Sequence, residues 1–243
     1  MAIAVRSTSY GVSIADTGVA TSRPAGSVAG DVLVLLGIEF TTASDANGLT
    51  TPTGWTLKNQ FLTNGGKQTE NVYARLSDGT ATDTPTLADA VGGTSSQICW
   101  VMLALTGAQT AFDGVVSSTS GSATTIQTAT SLTTTAAGSL LIGYWLSQPA
   151  TGATGRFYGS VGMTVQANPQ QTAGILANFC VATEVLSAAG ATGTRSATSS
   201  WTLGATDTYA TALFAVKEST TVTLINDGTI ITNTAAVQFA SSW

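Results

Sequence analysis

The chain contains no histidine. That absence removes the usual Ser-His-Asp and Cys-His nucleophile systems and His-based zinc catalysis. Charge is scarce too. Asp, Glu, Lys and Arg make up 9% of the 243 residues, against about 25% in ordinary soluble domains. Lys and Arg never cluster and the net charge is −5, so the basic stripe that displaces counterions from nucleic-acid phosphates is missing. Long apolar runs are lacking as well. Val32–Ile38 and Ile98–Leu105 fall far short of the roughly 20 residues a spanning helix needs, so no membrane insertion is expected. The opening Met1-Ala2-Ile3-Ala4-Val5-Arg6 has no basic segment followed by an apolar one, so no signal peptide is expected. Cysteine is limited to Cys99 and Cys180, both in apolar strand-like runs without metal-ligand spacing; buried free thiols are expected.

What is present is apolar, β-prone and uncharged. Apolar residues reach 43%, which separates the chain from disordered sequences of low hydrophobicity and high charge. Helical periodicity is nearly absent. Val32–Phe40 and Val101–Leu105 are short and bounded by Gly, Asp and Thr, and they read as buried strands. The Thr-rich connectors favour extended backbone. The expected class is all-β.

An internal echo organises the chain. Gly30-Asp31-Val32-Leu33-Val34-Leu35 matches Gly138-Ser139-Leu140-Leu141-Ile142-Gly143 at a shift of 108 residues. The same shift lays Gly54-Trp55-Thr56-Leu57 on Gly162-Met163-Thr164-Val165, Asn71–Ala74 on Phe179–Ala182, and Val101–Leu105 on Tyr209–Leu213. Two similar halves, about 2–109 and 110–217, then form a domain over 1–217. Each half reads as four principal strands, and the two together predict an eight-strand, jelly-roll-like β-sandwich. Two independent tandem domains are the alternative. Residues 218–243 lie outside the repeat as a C-terminal arm. There Thr221–Ile225 and Thr229–Thr232 flank Asn226-Asp227-Gly228, a hairpin signal, because these residues tolerate the positive φ of tight turns. The hairpin either extends a sandwich sheet or adds to another subunit. In the second case Val222, Leu224, Ile230, Val237, Phe239 and Trp243 would form the assembly surface.

The order Gly30-Asp31-Val32-Leu33-Val34, Pro52-Thr53-Gly54-Trp55-Thr56, Val72-Tyr73-Ala74-Arg75 and an apolar strand ending near Gly107 resembles phage and prophage virion β-sandwich proteins. These are capsid-decoration, minor tail or head accessory components, and the resemblance covers most of residues 20–217. It implies a non-enzymatic virion protein made in the host cytoplasm. Its partners would be copies of itself, with a trimer suiting capsid three-fold sites, and other virion proteins such as the major capsid or tail proteins. No catalytic residue and no cofactor come with it. The second half departs from the pattern at Gly138-Ser139 and at Met163.

Three chemical alternatives remain open in the residues. Glycoside hydrolysis needs only two carboxylates, and Glu39, Glu70 and Glu184 lie in or beside strands. Alternation places Glu39 on the face of Val32–Phe40 shared with Leu33, Leu35 and Gly37. Ser44–Gly48 carries oxygen ligands at alternate positions but lacks the later ligands of a calcium loop, so it reads as a turn and no metal is expected. For a receptor or host surface glycan, the candidate is the loop Pro149–Gly159 with Arg156, Phe157 and Tyr158, the alternative being a loop pinned to the core by one aromatic. Trp55, Trp100, Trp145 and Trp201 are expected in the core or at the sandwich rim.

Overall fold

The computed structural model describes residues 2–13, 18–41, 48–63, 68–90, 97–114, 117–122, 124–149, 155–172, 176–201, 208–219, 222–226 and 229–233. The chain is all-β, built from antiparallel sheets. The stretch to Thr106 supplies β1 (Ala4–Ser13), β2 (Val19–Ala20), β3 (Val32–Phe40), β4 (Thr56–Thr63), β5 (Gln68–Leu76), β6 (Thr86–Leu87) and β7 (Gln97–Thr106). The next stretch supplies β8 (Ala108–Phe112), β9 (Ser117–Ser122), β10 (Ile126–Ala129), β11 (Thr133–Thr134), β12 (Leu140–Gln148) and β13 (Phe157–Tyr158). It continues with β14 (Thr164–Ala167), β15 (Gln170–Gln171), β16 (Ala177–Val185), β17 (Gly190–Ala191), β18 (Arg195–Ser199) and β19 (Thr208–Glu218). A hairpin of β20 (Val222–Asn226) and β21 (Thr229–Asn233) follows.

Two large sheets dominate. The first runs β1-β7-β3-β5-β4, and the second runs β14-β16-β12-β19-β8, with β15 beside β16 and β9 beside β19. Each sheet is drawn from one continuous stretch of chain. They pack face to face, because one apolar cluster takes Val32, Val34, Leu36, Ile38 and Phe40 from β3 together with Leu140, Ile142, Tyr144 and Leu146 from β12. The two large sheets thus share one core.

The outer face of each sheet is covered as well. On the first, Leu33, Leu35, Tyr73, Trp100 and Met102 pack with Val19 of β2, Leu49, Trp55 and Leu87 of β6. On the second, the three-stranded sheet β10-β18-β13 lies over Trp145, Cys180 and Ala182, with Phe157, Ala197 and Trp201 facing down. Hence β3 is buried at all nine positions, as its uninterrupted apolar run requires. The four tryptophans Trp55, Trp100, Trp145 and Trp201 are all buried.

Two sequence expectations are changed. The main sheets hold more than eight strands, because β1, β8 and β9 join as edges. Their sequences, Ser/Thr-rich in β1 and β9, carry no continuous apolar stripe to announce them. The shift also drifts. The long strands β3 and β12 begin at Val32 and Leu140, 108 apart, but Val32 pairs with Leu105 where Leu140 pairs with Val216, which are 111 apart. Val216, rather than Leu213, therefore occupies the place of Leu105. One extra residue enters between β12 and β16, since Val32 pairs with Leu76 and Leu140 with Val185, and two more enter between β16 and β19, where connections can change length without disturbing a ladder.

The hairpin pairs Asn226 with Thr229, as the Asn-Asp-Gly signal predicts, and β20 and β21 form their own two-stranded sheet. Among the described residues they extend neither large sheet.

Candidate functional site

The carboxylates come first, since glycoside hydrolysis is the main enzyme class left to a chain without histidine. Glu39 pairs across the ladder with Thr69, and Glu70 pairs with Ile38. Ile38 belongs to the core between the sheets, so Glu70 points inward and Glu39 points outward. The neighbouring phenols agree. Burial, then Glu39, raises the pKa of Tyr73 on the outer face. Burial, then Glu70, raises that of Tyr144 in the inter-sheet core. Both carboxylates are fully buried, and Glu70 accepts a hydrogen bond from Gln68 Nε2. Glu184 lies on the other sheet, where Arg195 Nε and Nη2 both reach its Oε2 at 2.9 Å. The three glutamates do not converge.

Other acids hold turns. Asp31 accepts from Arg6 Nε at 2.8 Å and from the Val28 N–H at 2.9 Å. Asp83, buried, accepts from Ser77 Oγ at 2.7 Å and from the Gly79 N–H at 3.0 Å, with Arg75 Nε at 3.2 Å. In the second sheet the residue aligned with Asp31 is Ser139, and the carboxylate comes instead from Asp113. It accepts from the Thr135 N–H and hydroxyl, the Ala136 N–H and Ser139 Oγ at 2.6–3.1 Å. Burial alone would raise its pKa, but these four hydrogen bonds hold it at about 2. Beside Gly138 the second sheet thus places Ser139 where the first has Asp31, and takes its carboxylate from Asp113, directly after β8. Gly30 and Gly138 keep the same backbone role: both have positive φ, 92° and 78°, and donate to the carbonyls of Ser77 and Leu186.

The Ser44–Gly48 segment lies outside the described residues save for Gly48. No cluster of three potential metal ligands occurs among the described residues.

Arg156, Phe157 and Tyr158 are brought together but not to one surface. Phe157 is buried and meets Trp201 edge-on, with ring centroids 5.1 Å apart. Its carbonyl accepts from Asn168 Nδ2 at 2.7 Å, and its N–H points to Asn168 Oδ1 at 3.4 Å. Phe157 is therefore the anchor of the segment and is unable to touch a ligand at the surface; period-2 alternation turns Arg156 and Tyr158 the other way. Both are exposed, Tyr158 at 64%. The row Ile126–Thr198–Tyr158 crosses β10, β18 and β13, and Ile126 and Thr198 are exposed beside the tyrosine. These two are partners that sequence reading alone does not reach, because Ile126 lies 32 residues before Tyr158 and Thr198 lies 40 after it, and the three meet only through strand pairing.

Of the expected assembly residues, Val222 pairs with Asn233, Leu224 with Ile231 and Ile230 with Ile225; Val237, Phe239 and Trp243 lie outside the described residues. The thiols Cys99 and Cys180 are free and buried.

Comparison with protein-family models, with curated proteins and with solved structures finds no match to this chain.

Proposed function

We propose that the chain is a non-enzymatic structural component of a virus particle, a capsid decoration or head/tail accessory protein that associates with its own copies. The observation that carries this reading is how the ionisable groups are used. Asp31, Asp83, Asp113 and Glu184 are engaged in turns and ion pairs, and Glu39 and Glu70 are buried on opposite sides of one sheet. No two of them face a common cleft, whereas acid–base hydrolysis needs two such groups across a substrate. The resemblance of Gly30–Val34, Pro52–Thr56 and Val72–Arg75 to virion β-sandwich proteins supplies the setting.

In this reading residues 2–217 are a duplicated pair of halves, supported by the common strand order of the two sheets and by the 108-residue spacing of β3 and β12. The jelly-roll likeness extends to the double sheet only, since each half supplies one whole sheet instead of strands alternating between them. The C-terminal segment 218–243 serves as the assembly arm. A lone two-stranded hairpin is marginal in water, so an arm of this kind gains stability from a neighbour's surface. Deleting 218–243 and measuring both solution mass and particle binding tests the reading: loss of either supports it, and retention of both contradicts the arm's role.

A further inference from the structure

The chain has five arginines, and four are held by acids: Arg6 by Asp31, Arg23 and Arg75 by Asp83, Arg195 by Glu184. Arg156 is the exception. Its backbone is fixed, with its N–H donating to Ser200 Oγ and its carbonyl accepting from the Ser200 N–H, both at 2.9 Å. Among the described residues its guanidinium has no acidic partner, and it stands exposed two residues from the exposed ring of Tyr158. With the other four arginines all paired to acids, an unpaired one beside an open aromatic ring marks a site.

We infer that Arg156 and Tyr158, with Thr198 and Ile126 beside them, form a platform for a carboxylate-bearing sugar. The chemistry is complementary. A guanidinium binds a carboxylate through two parallel N–H donors. A phenol ring stacks on the apolar face of a pyranose and offers its hydroxyl at the edge. The adjoining strand hydroxyls of Thr128 and Ser196, 2.8 Å apart, continue the surface with polar groups of the kind that meet sugar hydroxyls. Three strands at about 4.8 Å spacing make a width of roughly 10 Å, room for one or two sugar rings on an open surface.

The platform is also pre-organised. Phe157 under Trp201 and the amide of Asn168 fix the strand that carries both residues, so little conformational freedom is lost on binding. Among the described residues the first half has no equivalent: its covering layer is the two-stranded β2-β6, without a third strand. The site is independent of the assembly role proposed above.

The test uses the full-length chain and ligand-observed NMR titration with 3′-sialyllactose, a hyaluronan tetrasaccharide and neutral lactose. Saturable binding of an acidic probe, weakened about tenfold or more by Arg156→Gln and by Tyr158→Thr at unchanged Tm, is expected. Whether the sialylated or the uronate probe binds identifies the source of the carboxylate. Lactose binding as tightly as sialyllactose, no acidic probe binding, or binding that survives Arg156→Gln would each overturn the inference.

Discussion

Glu39 and Glu70 sit one position out of register on the neighbouring strands β3 and β5 and point to opposite faces of the same sheet. A sheet about 5 Å from strand to strand places them close through the backbone, yet no substrate can reach both. The arrangement expects no turnover across a panel of polysaccharides. Release of reducing ends by the purified chain, abolished by Glu39→Gln or Glu70→Gln, would contradict it.

Asp113 answers for the turn at Thr135–Ser139. Asp113→Asn keeps the shape but removes the charge that four donors address, and is expected to lower stability by about 1–3 kcal/mol in urea unfolding. The acid dependence follows in sign. The folded-state pKa of about 2 lies below the ordinary 3.8, so this contribution is complete above the ordinary value and fades as pH falls from about 4 to 2. The variant should therefore lose less stability than the parent over that interval. An equal loss in both would show that the carboxylate is not responsible.

The sequence made much of the fold readable, for reasons that particular residues explain. The apolar run Val32–Phe40 declared a strand buried on both faces, and its alternation placed Glu39 correctly with Leu33 and Leu35. The hairpin signal at Asn226 held for the same reason: the turn chemistry is local. What stayed hidden is non-local. Ser139 looked like a lost motif until Asp113, 26 residues earlier, was seen to supply its carboxylate. Likewise Arg156 and Tyr158 stood out as loop residues, but which of the three neighbours is buried depended on Trp201 and Asn168.

Packing size is exchanged between the halves in the same non-local way. Leu35 and Gly37 of β3 align with Gly143 and Trp145 of β12. A Cβ on Gly143 would stand 2.6 Å from the Trp145 ring and 3.0 Å from Leu213. Gly143→Ala is thus expected to cost about 1–3 kcal/mol by thermal or urea unfolding. An unchanged Tm would mean that the Trp145 ring has room to move.

Phe157 and Tyr158 are adjacent with opposite roles. Phe157→Ala should cost about 3–5 kcal/mol, whereas Tyr158→Ala should stay within about 0.5 kcal/mol. Equal losses in denaturant titrations would contradict the assignment of Phe157 as anchor.

Burial pushes the thiols of Cys99 and Cys180 up to about 12, leaving them protonated and sheltered at neutral pH. Iodoacetamide should leave the native mass unchanged and add two groups after unfolding in guanidinium, one for each cysteine. Rapid native labelling would contradict their burial.

The most direct test of the central proposal is quantitative mass spectrometry of purified virus particles made from the genome that encodes this chain. A fixed copy ratio to the major capsid protein, maintained through density-gradient purification and washing, is the expected result. Absence of the chain from intact particles would contradict the structural role.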